Sequence, residues 1–97
     1  MNKYIVTTTI NPPTKATLLF CQKTDWKFII VGDLKTPQTL YELLAKKYSQ
    51  VTYLSPEKQN KLHKKLSTSI GWKTVERRNL GYVYAYNEGA DIVATVD

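Results

Sequence analysis

Short apolar runs alternate along the chain with stretches whose apolar residues recur at helical spacing. Apart from the leading Lys3 and Lys27, residues 3–9, 27–31, 51–54 and 92–96 are apolar, aromatic or β-branched, and they read as four strands. Their continuous hydrophobic character, rather than strict alternation, is that of strands covered on both faces. In the first helical pattern Ala16, Leu19, Phe20 and Lys23 follow i, i+3, i+4, i+7 spacing behind NPPT, a suitable helix entrance. The second, TPQTLYELLAKKY, offers Thr36 as cap, Pro37 at the first helical position and a stripe of Leu40, Leu43, Leu44 and Tyr48. In SPEKQNKLHKKLSTSIGW, Ser55 is the cap, Pro56 the first helical residue, and Glu57 lies near the positive end of the dipole. Only Leu62, Leu66 and Ile70 line the inner face there, which predicts a peripheral helix. A fourth helix is predicted over 74–88, with Gly89 ending it in the left-handed conformation. Its Gly81 and Ala85, four apart, form a small-residue face that can approach a sheet closely.

Strand, helix, strand, helix, strand, two helices, strand is the order of an α/β fold. It predicts a three-layer, Rossmann-like open sheet, mainly parallel, of about four strands joined by crossover helices. With 97 residues and 42% hydrophobic content, residues 1–97 form a single domain with no internal repeat, low-complexity segment or linker. Two tryptophans and seven tyrosines argue against disorder, because burying such side chains offsets the entropy of ordering the backbone.

Several function classes are disfavoured. No apolar stretch approaches the roughly 20 residues that cross a bilayer, and MNKYIVTTTINPP makes a poor signal peptide, so a cytoplasmic location is expected. One cysteine and one histidine, Cys21 and His63, cannot supply a zinc site of the usual composition; both read as packing or surface residues. A net charge of +6 raises the question of nucleic acid. Lys58, Lys61, Lys64 and Lys65, however, lie around one solvated helix, and no aromatic stacking platform accompanies the positive residues. Nucleic acid is therefore not the expected partner.

In open parallel sheets ligands bind beyond the carboxyl ends of the strands, where strand order reverses. The residues at those ends can be read directly. Thr8, Thr9 and Asn11 close the first strand with groups that hydrogen-bond a base or ribose. Asp33 follows the second strand, where a carboxylate can accept from ribose hydroxyls or a pyrimidine N–H; within VGDLKTP it also fits an ordinary turn. Arg77, Arg78 and Asn79 open the last helix, with guanidinium forks suited to bidentate phosphate contact. Arginines there oppose the helix dipole, a cost that a bound anion would relieve. Asp97 follows the fourth strand as a hard oxygen donor of the kind that suits Mg²⁺ or Mn²⁺. Tyr82, Tyr84 and Tyr86 read as core and rim rather than as base-stacking platforms.

Taken together, TTTINPPT, FIIVGDLKTP, YLSPEKQ and RRNLGYVYAYNEGADIVATVD resemble the STELLO-like family of glycosyltransferase-type domains, and more broadly the first half of a GT-A fold. The resemblance spans residues 4–97. It implies a nucleotide-sugar-dependent transferase whose donor-binding portion is this chain, a truncated half-domain inactive by itself. It implies nucleotide contacts from Thr8 and Asn11, base or ribose reading by Asp33, and a basic contribution from Arg78 with Asn79 in the same pattern. It places the first aspartate of a DXD-type motif at Asp97, so that a divalent metal, Mn or Mg, is expected only together with residues beyond it. The nucleotide sugar is the implied partner, with the acceptor unspecified. The alternative is a non-catalytic binding or scaffold module of the same fold.

Overall fold

The structure, a computed structural model, describes residues 2–9, 11–22, 25–62, 64–70 and 77–95. Its elements in chain order are β1 (Lys3–Thr9), α1 (Lys15–Cys21), β2 (Lys27–Gly32), α2 (Gln38–Lys47), β3 (Val51–Leu54), α3 (Pro56–Leu62), α4 (Lys64–Ile70), α5 (Arg78–Asn87) and β4 (Ile92–Thr95). The strands form one sheet in the order β3-β2-β1-β4, every neighbouring pair parallel. This is the α/β architecture that the alternation of patterns predicts. Strand order reverses beside β1, which has β2 on one side and β4 on the other.

Two cores flank the sheet. On one face Ile5, Phe28, Ile30, Val51 and Tyr53 pack with Cys21 of α1 and with Tyr41 and Leu44 of α2. On the other, Tyr4, Val6, Ile29, Val31 and Leu54 pack with Ala85 of α5. Alternate residues of each strand serve opposite cores, as the pleat requires. Gly81 explains how α5 comes so close: a Cβ there would overlap Val6 and lie 2.8 Å from Val31 Cγ2. Gly89 has φ +82°, the left-handed conformation expected at the end of α5. Tyr82 and Tyr84 pack against the same core, whereas Tyr86 is exposed.

Several local expectations are corrected. The buried face of α2 is Tyr41 and Leu44, flanked by Ala45 and Tyr48, while Leu40 and Leu43 are exposed, Leu43 by 57%. Tyr41 wins the inward position because its ring stacks on Tyr53, 5.6 Å between centroids, and its hydroxyl reaches a backbone acceptor. In α1 the inward residues are Phe20 and Cys21, with Ala16 and Leu19 exposed, because the Phe20 ring meets Phe28 at 5.7 Å. Thr14 caps α1 in a reciprocal pair with Thr17. Thr36 does not cap α2, whose N-cap is Pro37; its hydroxyl is used elsewhere. Ser55 does cap α3, accepting from Lys58 N at 3.2 Å. The inner face of α3 and α4 is more polar than expected, since Gln59 and Ser67 are buried while Leu62 and Leu66 are only half-buried.

β4 also departs from expectation. Its pattern predicts a covered strand, yet Ile92 and Val93 are 41% and 40% exposed. Among the described residues it pairs with β1 alone, and α5 lies over β1 and β2. The start predicted for the last helix at 74, residue 23 of the first stripe, His63 and the end of the fourth strand at 96 fall outside the described residues.

Candidate functional site

The carboxyl ends of β1 and β2 lie side by side, Thr8 beside Val31 and Thr9 beside Gly32. Between the end of β1 and the entrance to α1 is a cleft of about 170 Å³, lined by Thr7, Thr8, Thr9, Asn11, Thr17 and Tyr41 among others. Two of the residues singled out in the sequence, Thr8 and Asn11, thus share one cavity. Asn11 is held in a short turn: its N–H donates to Thr9 Oγ1 at 3.1 Å, and its carbonyl accepts from the Tyr41 hydroxyl at 2.6 Å.

Asp33 follows β2 on the same edge and is 5% exposed. Its Oδ1 accepts from Leu34 N at 2.6 Å, its N–H donates to Thr36 Oγ1 at 2.8 Å, and its carbonyl accepts from Gln38 Nε2 at 3.0 Å. The Thr36 hydroxyl in turn donates to the Thr9 carbonyl. One side chain therefore ties the β2–α2 turn to the end of β1. The Tyr53 hydroxyl donates to Gln38 Oε1 from the floor of this arrangement, and the Tyr53 ring occupies the space that any Cβ at Gly32 would need.

Arg77 immediately precedes α5 and is 1% exposed. Its Nη2 donates to Gln59 Oε1 and to Ser67 Oγ, both at 2.7 Å, and Nη1 donates to the Ser67 carbonyl at 2.7 Å. Gln59 spends its own amide on the carbonyls of Gly32 at 2.7 Å and Leu54 at 2.8 Å, the last residues of β2 and β3. Burial pushes the Arg77 guanidinium pKa down, and the nearby Asp33 charge opposes that shift. The fork that the sequence offers to a phosphate is thus turned inward, satisfying buried acceptors. Arg78, half-buried, and Asn79, exposed, occupy the next two positions, in the first turn of α5.

The fold accordingly brings Thr8 and Asn11 into one cleft and fastens Asp33 beside them. Arg78 and Asn79 follow Arg77, on the opposite side of the sheet from α1. Asp97 lies outside the described residues. Among the described residues no three His, Cys, Asp or Glu side chains come together to hold a metal, so these residues do not by themselves make a metal site. Also among the described residues, no helix is long and apolar enough to cross a membrane. A wider groove, about 380 Å³, lies outside β3 between Leu34, Gln38, Glu42, Ser55, Pro56 and Glu57. The lysines of α3 and α4 are exposed, as a solvated face requires, and Lys61 pairs with Glu57 at 3.5 Å.

Sequence reasoning does not find Gln59, Ser67, Tyr41 or the role of Thr36. Gln59 and Ser67 lie on helices whose leucines claim the inner face by spacing, and no local signal marks a glutamine for burial. Comparison of the chain with family models, curated proteins and solved structures gives no match.

Proposed function

We propose that the chain is the nucleotide-binding portion of a nucleotide-sugar-dependent glycosyltransferase, the first half of a GT-A fold. The observation that supports this most is the shared edge: Thr8, Asn11 and Asp33 stand at or just beyond the ends of the adjacent parallel strands β1 and β2, and β1 borders the point where strand order reverses. In this reading the Thr8 hydroxyl and the Asn11 amide hydrogen-bond the nucleoside. Asp33 offers a ligand little surface, and its larger contribution is to order the turn against which the nucleoside rests. Arg78, which opens α5 over the other face of the sheet, supplies positive charge to a diphosphate that reaches across the sheet edge, where a preorganised cation is most effective. Asn79 adds a polar group in the same turn. A divalent metal of the transferase type would supply further neutralisation of the diphosphate, and among the described residues no three His, Cys, Asp or Glu side chains come together to bind it.

Calorimetric titration of the chain with UDP and with GDP, each with and without Mn²⁺, tests the reading. The expected result is saturable binding of one diphosphate, weakened at least tenfold by Arg78→Ala. Absence of binding by either nucleotide overturns it. Tight binding accompanied by no transfer in any longer form of the protein would favour the scaffold module instead.

A further inference from the structure

We infer that Thr36 and Tyr41 are positioning residues that hold the β1–α1 loop, and with it Asn11, as the wall of the nucleotide cleft; the ligand part of this inference rests on the reading above. Neither belongs to the strand-end residues to which the sequence points, and both come from the segment around α2. Thr36 is almost fully buried, and its hydroxyl makes two bonds at once, accepting from Asp33 N and donating to the Thr9 carbonyl. The Tyr41 hydroxyl donates to the Asn11 carbonyl at 2.6 Å, two residues beyond Thr9 and in the loop proper. The end of β1 is thus held at Thr9, and the loop that follows it at Asn11, by side chains from the β2–α2 connection and from α2 itself.

Neither attachment is built into the loop itself. Residues 11–14 make no sheet ladder, and two of them, Pro12 and Pro13, lack an N–H to donate. Among the described residues the loop's own bonds are local, as in Asn11 N to Thr9 Oγ1 and the Thr14–Thr17 cap. Local bonds of this kind fix a turn's shape but not its place on the sheet. The longer-range pair at Thr36 and Tyr41 does that. Tyr41 is well suited because its ring is itself immobilised by stacking on Tyr53, so its hydroxyl is presented with little freedom left to lose.

The test uses the 97-residue chain in three forms, Thr36→Val, Tyr41→Phe and Thr36→Ser. Amide exchange followed by NMR reports the loop, and UDP titration reports the site. Thr36→Val and Tyr41→Phe are expected to accelerate exchange at the Asn11 amide at least tenfold while leaving Val6 and Ile30 unchanged, and to weaken UDP binding at least tenfold. Thr36→Ser, which keeps the hydroxyl, is expected to restore both. Wild-type exchange at Asn11 in both disruptive variants would overturn the inference, as would accelerated exchange with undiminished UDP affinity. Should Thr36→Val fail to fold, Tyr41→Phe decides alone, because it retains the stacked ring. If the wild-type chain binds no diphosphate, the nucleotide reading falls, while the exchange data still decide whether these two side chains hold Asn11.

Discussion

β3 and β4 are both four-residue strands with one neighbour each, yet they are buried very differently. Val51, Tyr53 and Leu54 are at most 5% exposed, against about 40% for Ile92 and Val93. β3 is covered by Tyr41 and Leu44 of α2 on one face, and on the other by the core that includes Ala85 of α5. Among the described residues β4 pairs with the flank of β1, with Ala94 at the margin of one core. The contrast shows that an edge strand owes its burial to the helices above and below it rather than to its own composition. It also locates the molecule's mechanical centre. The buried polar network of Gln59, Ser67 and Arg77 lies on the β3 side, joined to the ends of β2 and β3. The two hydrophobic cores also have most of their strand residues in β1, β2 and β3.

The largest expected effect therefore comes from that side. Arg77→Ala removes a buried cation that satisfies Gln59 Oε1, Ser67 Oγ and the Ser67 carbonyl, and it leaves Asp33 without that charge nearby. Leaving a buried acceptor unsatisfied costs about 1–3 kcal/mol, and with these acceptors lost together the effect is a large part of the roughly 5–15 kcal/mol that stabilises a domain. Urea unfolding monitored by tryptophan fluorescence should show the midpoint fall accordingly. A loss below about 1 kcal/mol, the scale of an exposed pair, would mean that the β3 side is not the mechanical centre.

Alkaline pH sharpens the same comparison. Tyr41 and Tyr53, both on the β3 side, have phenol pKa values raised chiefly by burial, with the Glu42 charge adding to the shift at Tyr53. The folded state then holds those protons more tightly than the unfolded chain does. Their stabilising contribution is whole below about pH 10, the ordinary tyrosine value, and is lost as the pH climbs through the higher folded values. Unfolding midpoints measured from pH 8 to pH 11 should fall more steeply in the wild type than in Tyr53→Phe, which has no proton to lose there. Parallel curves would show that the Tyr53 phenol is not linked to folding.

Much of the fold is legible in the sequence because its strands are runs of β-branched and aromatic residues separated by unambiguous turn chemistry. Residues 3–9 and 51–54 coincide with β1 and β3, and the alternation of patterns implies the parallel sheet. Which face of each helix turns inward is less legible. At α2, Leu40, Leu43 and Leu44 satisfy the helical period as well as Tyr41 and Leu44 do, and only the Tyr53 ring on another strand decides between them. The candidate site divides in the same way. Thr8, Asn11 and Asp33 can be found because strand ends are visible in sequence, whereas Gln59 and Ser67 are buried through contacts with Arg77, 18 and 10 residues away. Polar burial of that kind depends on partners brought together by the fold, and periodicity carries no trace of it.

The smallest expected effect belongs to β4 and tests the comparison from its other side. Val93 is 40% exposed, so a lysine there can direct its ammonium into water while its methylenes cover the surface that valine covered. Lysine is also a common residue on free sheet edges, where its charge discourages strand addition. Val93→Lys should thus change unfolding free energy by no more than about 0.5 kcal/mol, the range of ordinary surface substitutions, with urea midpoints as the readout. A loss of 2 kcal/mol or more would show that Val93 is covered in solution, so that the two edges are alike after all. The strand composition, rather than the helices above β3, would then be the better guide to what is buried.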